Sequence, residues 1–187
     1  MTTQSIRQST TRILQLILVG SLIAAAPLVA QMNDMDVDKP APAKLVKIVK
    51  ENTTQFINVN NTAAAGYGPA FGCVSGPDHG AMGIHYINGA LVGDGLIDET
   101  TPEALIYEPV GKRLKLVGVE YIVDSATWLA AHNNVPPQLE GQAFQLIASP
   151  NRFGLNPFFE LHVWAWRDNP QGAFVDWNNQ VSCEKGQ

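Results

Sequence analysis

The sequence predicts a mainly β protein of the α+β kind: a single antiparallel sheet, strongly curved or closed into a small barrel, with one or two short helices on it. Three observations carry this expectation. Four runs, AMGIHYIN (81–88), EALIYEPV (103–110), RLKLVGVEYIVD (113–124) and FFELHVWAW (158–166), are rich in β-branched and aromatic residues. Pro109, Gly111 and Lys112 mark a hairpin-like turn between the middle two. Helix signals are confined to two short stretches, 44–56 and 125–132.

Residues 1–30 read as a secretory signal peptide. Arg7 and Arg12 form a positive start, Ile13 to Ile23 an apolar run, and Ala24-Ala25-Ala26-Pro27-Leu28-Val29-Ala30 a small-residue exit with cleavage expected after Ala30. The rival reading is a membrane anchor, for which the apolar run is short against the roughly 20 residues a span needs. Residues 31–43, QMNDMDVDKPAPA, read as a linker, and 44–187 as a single globular β-rich domain.

Within that domain KLVKIVKENTTQF (44–56) places Leu45, Ile48, Val49 and Phe56 at helical spacing, with Lys44, Lys47 and Lys50 toward solvent. The Gly-, Ala- and Pro-rich stretch 60–83 reads as a long loop of the kind that often carries function. NGALVGDGLID (88–98) is turn-rich after the first strand. SATWLAAH is a short helix capped by Asp124 or Ser125 and ended before Pro136-Pro137. GQAFQLIA (141–148) is another strand, PNRFGLNP a loop, and the tail after Trp166 a turn-rich plug carrying Phe174 and Trp177.

The formal charge is −5; without the first 30 residues ten basic residues face 17 acidic ones. That balance argues against a nucleic-acid partner, which needs clustered Lys and Arg. After signal cleavage no later segment is apolar enough for stable membrane insertion, so the expected location is exported, periplasmic or extracellular. Cys73 and Cys183 fit an oxidising compartment as a disulfide, the alternative being a catalytic thiol.

Alternation along the strands selects the candidate site. In 113–124 Glu120 shares a face with Leu114, Leu116 and Ile122; in 81–88 His85 lies with Gly83 and Ile87; in the last strand Glu160 and His162 lie with Trp164 and Trp166. His85, Glu120 and His162 are therefore candidate metal ligands, with Glu160 as a fourth, and Glu120 or Glu160 as a catalytic general base. Such a set suits one divalent ion, zinc, manganese, iron or copper, and leaves positions open for water or a small-molecule substrate. The same residues also fit hydrogen-bonded core histidines with Glu120 paired to Arg113, Arg152 or Arg167. Two further classes compete: a non-catalytic binder of a small apolar ligand, and an envelope structural protein. Asp78–His79 and His132 read as a solvated turn and a helix end, Glu103 and Glu108 as rim residues, with Glu108 sharing the parity of Ile106 and so able to face inward, and Asp176-Trp177-Asn178 as a turn pinning the tail. GDGLID lacks the downstream glutamate of a calcium loop.

The order GAMGIH (80–85), PEALIYEP (102–109), LVGVEYIV (116–123), SPNRFGL (149–155), LHVWAWRDNPQGAF (161–174) and DWN (176–178) resembles a family of small exported bacterial proteins. The resemblance spans roughly residues 70–183 and implies export and a single domain. It implies no activity, cofactor or catalytic residue.

Overall fold

The structure, a computed structural model, describes residues 43–184; the signal reading of 1–30 and all but the last residue of the linker lie outside them. Along the chain run helix α1 (Lys44–Thr53), three short 3-10 turns, strands β1 (Gly68–Gly76) and β2 (Gly80–Ile87), helix α2 (Gly89–Val92), strands β3 (Ala104–Val110) and β4 (Arg113–Asp124), and helix α3 (Ser125–Ala131). The short strands β5 (Gln138–Leu139), β6 (Gln142–Ala143) and β7 (Gln145–Ile147) precede β8 (Phe158–Val163). Six strands pair in the order β1-β2-β3-β4-β8-β7, and every pair is antiparallel. The sheet curls into half a barrel, with β5 and β6 as a separate small hairpin.

One face of the sheet carries the main apolar core. Leu105, Tyr107, Val119, Tyr121, Val123, Phe159, Leu161 and Val163 pack there with Leu45, Val46 and Val49 of α1. The three lysines of α1 at 44, 47 and 50 are exposed, as the spacing requires. Tyr107 and Tyr121 belong to this core, and each hydroxyl donates to a backbone carbonyl, of Phe56 and Glu99 respectively. Burying those two rings is therefore not opposed by an unpaired hydroxyl. Asp124 caps α3 by accepting from the Thr127 N–H at 2.8 Å.

The other face carries Ala104, Ile106, Val117, Glu120, Ile122, Phe158, Glu160, His162 and Trp164, and the C-terminal tail lies over part of it. Asn178 bridges Ala81 by two backbone hydrogen bonds of 3.2 Å. Cys73 of β1 is bonded to Cys183, 110 residues later, so neither is a free thiol. Arg167 donates to the fully buried Glu108, which also accepts from the Ser182 N–H at 3.3 Å. Among the described residues no helix is long and apolar enough to cross a membrane.

Three sequence expectations change. The stretch 60–83 is not one loop, because it contains β1. That strand lies at the sheet edge, where Pro69 removes no ladder donor that a neighbour needs. Its register breaks between Ala70 and Cys73, where Phe71 and Gly72 both have positive φ. Leu114 and Leu116 do not share the face of Glu120: Ile106 pairs Gly118 and Tyr107 pairs Leu116, leaving Val117 as an extra residue. This bulge shifts parity by one, so Val117 joins the Glu120 face and Leu116 the main core. Finally β8 stops at Val163. The Ala165 N–H donates to the Val163 carbonyl at 2.9 Å, a tight turn that leaves Trp164 beside His162 but sends Trp166 to the main core.

Candidate metal centre

Two cross-strand relations assemble the site. Glu120 lies directly opposite His162 across β4 and β8, and Ile122 opposite Glu160. His85 on β2 and Glu120 on β4 are both next to β3, whose side chains between them are the smaller Ala104 and Ile106. Gly83 allows the close approach of β2 to β3 here: a Cβ on it would lie 2.7 Å from the Tyr107 carbonyl oxygen, and its φ is +103°.

The structure thus brings His85, Glu120 and His162 together. One ligand atom from each lies within 4.8 Å of the other two, and all three residues are buried. His85 Nε2 is 3.3 Å from a Glu120 carboxyl oxygen. The two imidazoles meet edge to face at 5.9 Å, and Trp164 stacks along His162 at 6.1 Å. Donors on one zinc ion at about 2.0–2.2 Å lie at most about 4.4 Å apart, so small side-chain rotations would close the set. Glu160 is within hydrogen-bonding reach of Glu120.

Two further residues, one from the tail and one from β7, complete the surroundings. Asp176, from the tail, has Oδ1 3.7 Å from His162 Nδ1, and Gln145 donates to its other oxygen at 3.1 Å. Glu160, His162 and Asp176 form a second group whose ligand atoms all lie within 4.8 Å of each other. No strand periodicity could have flagged Asp176, since the tail has none; its only sequence signal was the Asx-type turn in DWN.

Burial governs the protonation states. It pushes the Glu120 carboxyl well above its usual range, with the neighbouring Glu160 charge adding to the effect. It lifts Glu160 to about 7 and raises Asp176. Burial lowers His85 to about 4 and depresses His162, helped there by the neighbouring His85. Both shifts favour the neutral forms of His85 and Glu120, so their contact is not held chiefly by opposite charges. Both ring nitrogens of His162 and one carboxyl oxygen of Glu160 are buried without a hydrogen-bond partner among the described residues. Orphaned groups of this kind cost about 1–3 kcal/mol each.

Among the described residues the alternative pairing of Glu120 with Arg113, Arg152 or Arg167 is not formed. Arg113 is exposed at the start of β4, Arg167 pairs with Glu108, and Arg152 lies against Ser75, Phe153 and Trp177. Glu103 is buried rather than a rim residue, and Glu108 faces inward, as its parity with Ile106 allows; Glu103 accepts from the Ile122 N–H at 3.0 Å, and burial raises it to about 7. Asp78 and His79 are exposed on the turn between β1 and β2. His132 stacks on Trp128 at 3.6 Å at the end of α3.

A pocket opens onto His85 and Glu120. Its other walls are Phe71, Met82, Ile87, Ile122, Phe153, Leu155 and Phe158, and its accessible volume is about 30 Å³. That is room for about two water-sized groups. Phe71 packs on Phe153 at 5.1 Å and, like Leu155, is substantially exposed. The bulge at Phe71–Gly72 thus lays an aromatic ring at the pocket.

Comparison with protein-family models gave no match, and searches of curated proteins and of solved structures gave none either.

Proposed function

We propose that this is an exported metal-binding protein whose His85–Glu120–His162 centre holds a divalent ion at the floor of a small apolar pocket and acts there on a small molecule. The observation that supports this most is the convergence of two imidazoles and a carboxylate, all buried, with His162 partnerless at both nitrogens. Export is supported by the N-terminal pattern, by the motif resemblance and by a disulfide that suits an oxidising compartment.

His85, Glu120 and His162 would hold the ion, which when bound would supply Lewis acidity toward a water or a substrate oxygen. The residues do the rest. Glu160, beside Glu120 and lifted to about 7, is placed to take up a proton near neutral pH. Phe71, Phe153 and Phe158 give the His85–Glu120 side apolar walls, with room beside the two ligands for about two water-sized groups. Zinc is the first ion to test, for its affinity for mixed N and O ligands; manganese, iron and copper follow.

The test is elemental analysis of untagged protein with thermal melting in chelator and in added zinc. At 100 times Kd the ion adds about 2.7 kcal/mol, a melting rise of about 5–11 °C in a chain of this size. His85→Ala should lose that rise. No stoichiometric metal together with no rise in melting temperature would sink the proposal. The apolar pocket walls favour one second reading, a non-catalytic binder of a small apolar ligand. A co-purifying organic compound found by mass spectrometry of an extract, without metal, would favour it.

A further inference from the structure

Glu120, Glu160 and Asp176 converge around His162. Among the described residues no lysine or arginine is ion-paired or hydrogen-bonded to any of the three. One divalent ion at the His85–Glu120–His162 position would leave the group short of positive charge whenever all three carboxyls are ionised. The unmet bonding capacity is placed accordingly: His162 Nδ1 and one Glu160 oxygen are both buried without a hydrogen-bond partner among the described residues. Asp176 Oδ1, at 3.7 Å, is too far from Nδ1 for a hydrogen bond but is held on that side by Gln145.

We propose that Glu160, His162 and Asp176 form a second divalent-cation position, so that His162 bridges a two-ion centre. This rests on the reading of His85, Glu120 and His162 as the first position. In the bridged state Nδ1 serves the Asp176 side and Nε2 the His85–Glu120 side, which requires the ring to give up its remaining proton to solvent. Two divalent ions then match three carboxylates and one imidazolate, and the buried cluster is neutral overall. Burial of unbalanced charge costs several kcal/mol, so this balance favours the two-ion state over a one-ion state with all three carboxylates ionised. Asp176 is partly exposed and lies on the tail, so the second position is the more accessible to exchange.

Zinc stoichiometry of the intact disulfide-bonded protein, measured after equilibrium dialysis, tests this. Wild type should hold two zinc ions per chain. Asp176→Asn, an isosteric change at a partly exposed residue, should hold one, and its binding should release fewer protons in calorimetry across buffers of different ionisation enthalpy. His85→Ala should also hold one. Manganese bound to wild type at two equivalents should show spin coupling in its paramagnetic resonance spectrum, a readout that needs no variant. A wild-type stoichiometry of one, with Asp176→Asn also at one, overturns the second position while leaving the first intact. Two ions retained by Asp176→Asn overturns the assignment of Asp176. No bound ion in wild type overturns both readings.

Discussion

Metal-free protein should lose stability as the pH rises from 6.5 to 8. Glu103 and Glu160 keep their protons in the folded state up to about 7, whereas an unfolded glutamate loses its proton near 4.5. Over this interval the folded state therefore binds more protons than the unfolded one, and stability falls with rising pH. Each group with a folded value near 7 contributes a loss of about 1 kcal/mol between pH 6.5 and 8. Glu120 adds to the loss in the same direction, because burial and Glu160 raise it too. The two histidines act on the other side. His85, lowered to about 4, and His162, also depressed, are neutral when folded and charge more readily when unfolded, so their stabilisation is lost as pH falls below 6.5. Between 6.5 and 8 the two together still regain about 1 kcal/mol, because an unfolded histidine is half-charged at 6.5. Set against about 2 kcal/mol lost through Glu103 and Glu160, the net fall from these four groups is about 1 kcal/mol, a melting fall of about 2–4 °C. Urea unfolding followed by tryptophan fluorescence in chelator would measure it. Zinc should flatten the profile, because a bound cation replaces the protons the carboxyls otherwise retain. A metal-free profile that is level or rises between pH 6.5 and 8 would refute the argument.

Replacing both Cys73 and Cys183 by serine should lower stability by up to about 4–5 kcal/mol, since the bond spans 110 residues; urea unfolding would check it. Gly118→Ala places a Cβ 2.8 Å from the Val163 carbonyl oxygen and 3.3 Å from Trp164, so an overpacking loss of about 1–3 kcal/mol and an altered tryptophan emission are expected. Arg167→Met takes a charged partner from buried Glu108 and should cost about 3–5 kcal/mol in denaturant melts, while Arg167→Lys recovers part of it. Phe71→Ala should leave stability nearly unchanged, because the ring is half-exposed, but should speed the exchange of any pocket ligand measured by stopped-flow.

The central strands were legible because their signal is local: alternating β-branched and aromatic residues name β2, β3, β4 and β8 on their own. Face assignment was legible only where the ladder is regular. The parity of Glu160 with His162 and of His85 with Ile87 survives, whereas that of Leu116 with Glu120 does not, since the extra Val117 is a property of the β3–β4 pairing and leaves no mark in the run itself. β1 was hidden for a different reason: Pro69, Gly72 and Gly76 are poor strand residues, tolerated because pairing to β2 and the bond through Cys73 hold them. The candidate site was legible as three polar residues out of character with their runs. Asp176 was not, because nothing in a turn-rich tail fixes where it returns to the sheet until Asn178 meets Ala81.

The position of β1 has one more consequence. A half-barrel leaves two free edges, and an open edge is a template on which another chain can grow. Here the β1 side carries Pro69, which offers no N–H, and the paired left-handed residues Phe71 and Gly72, which bend the strand out of line. The β7 side is only three residues long. Neither edge presents a straight run of free donors and acceptors, so the same bulge that lays Phe71 over the pocket also guards the sheet against polymerising through its open side.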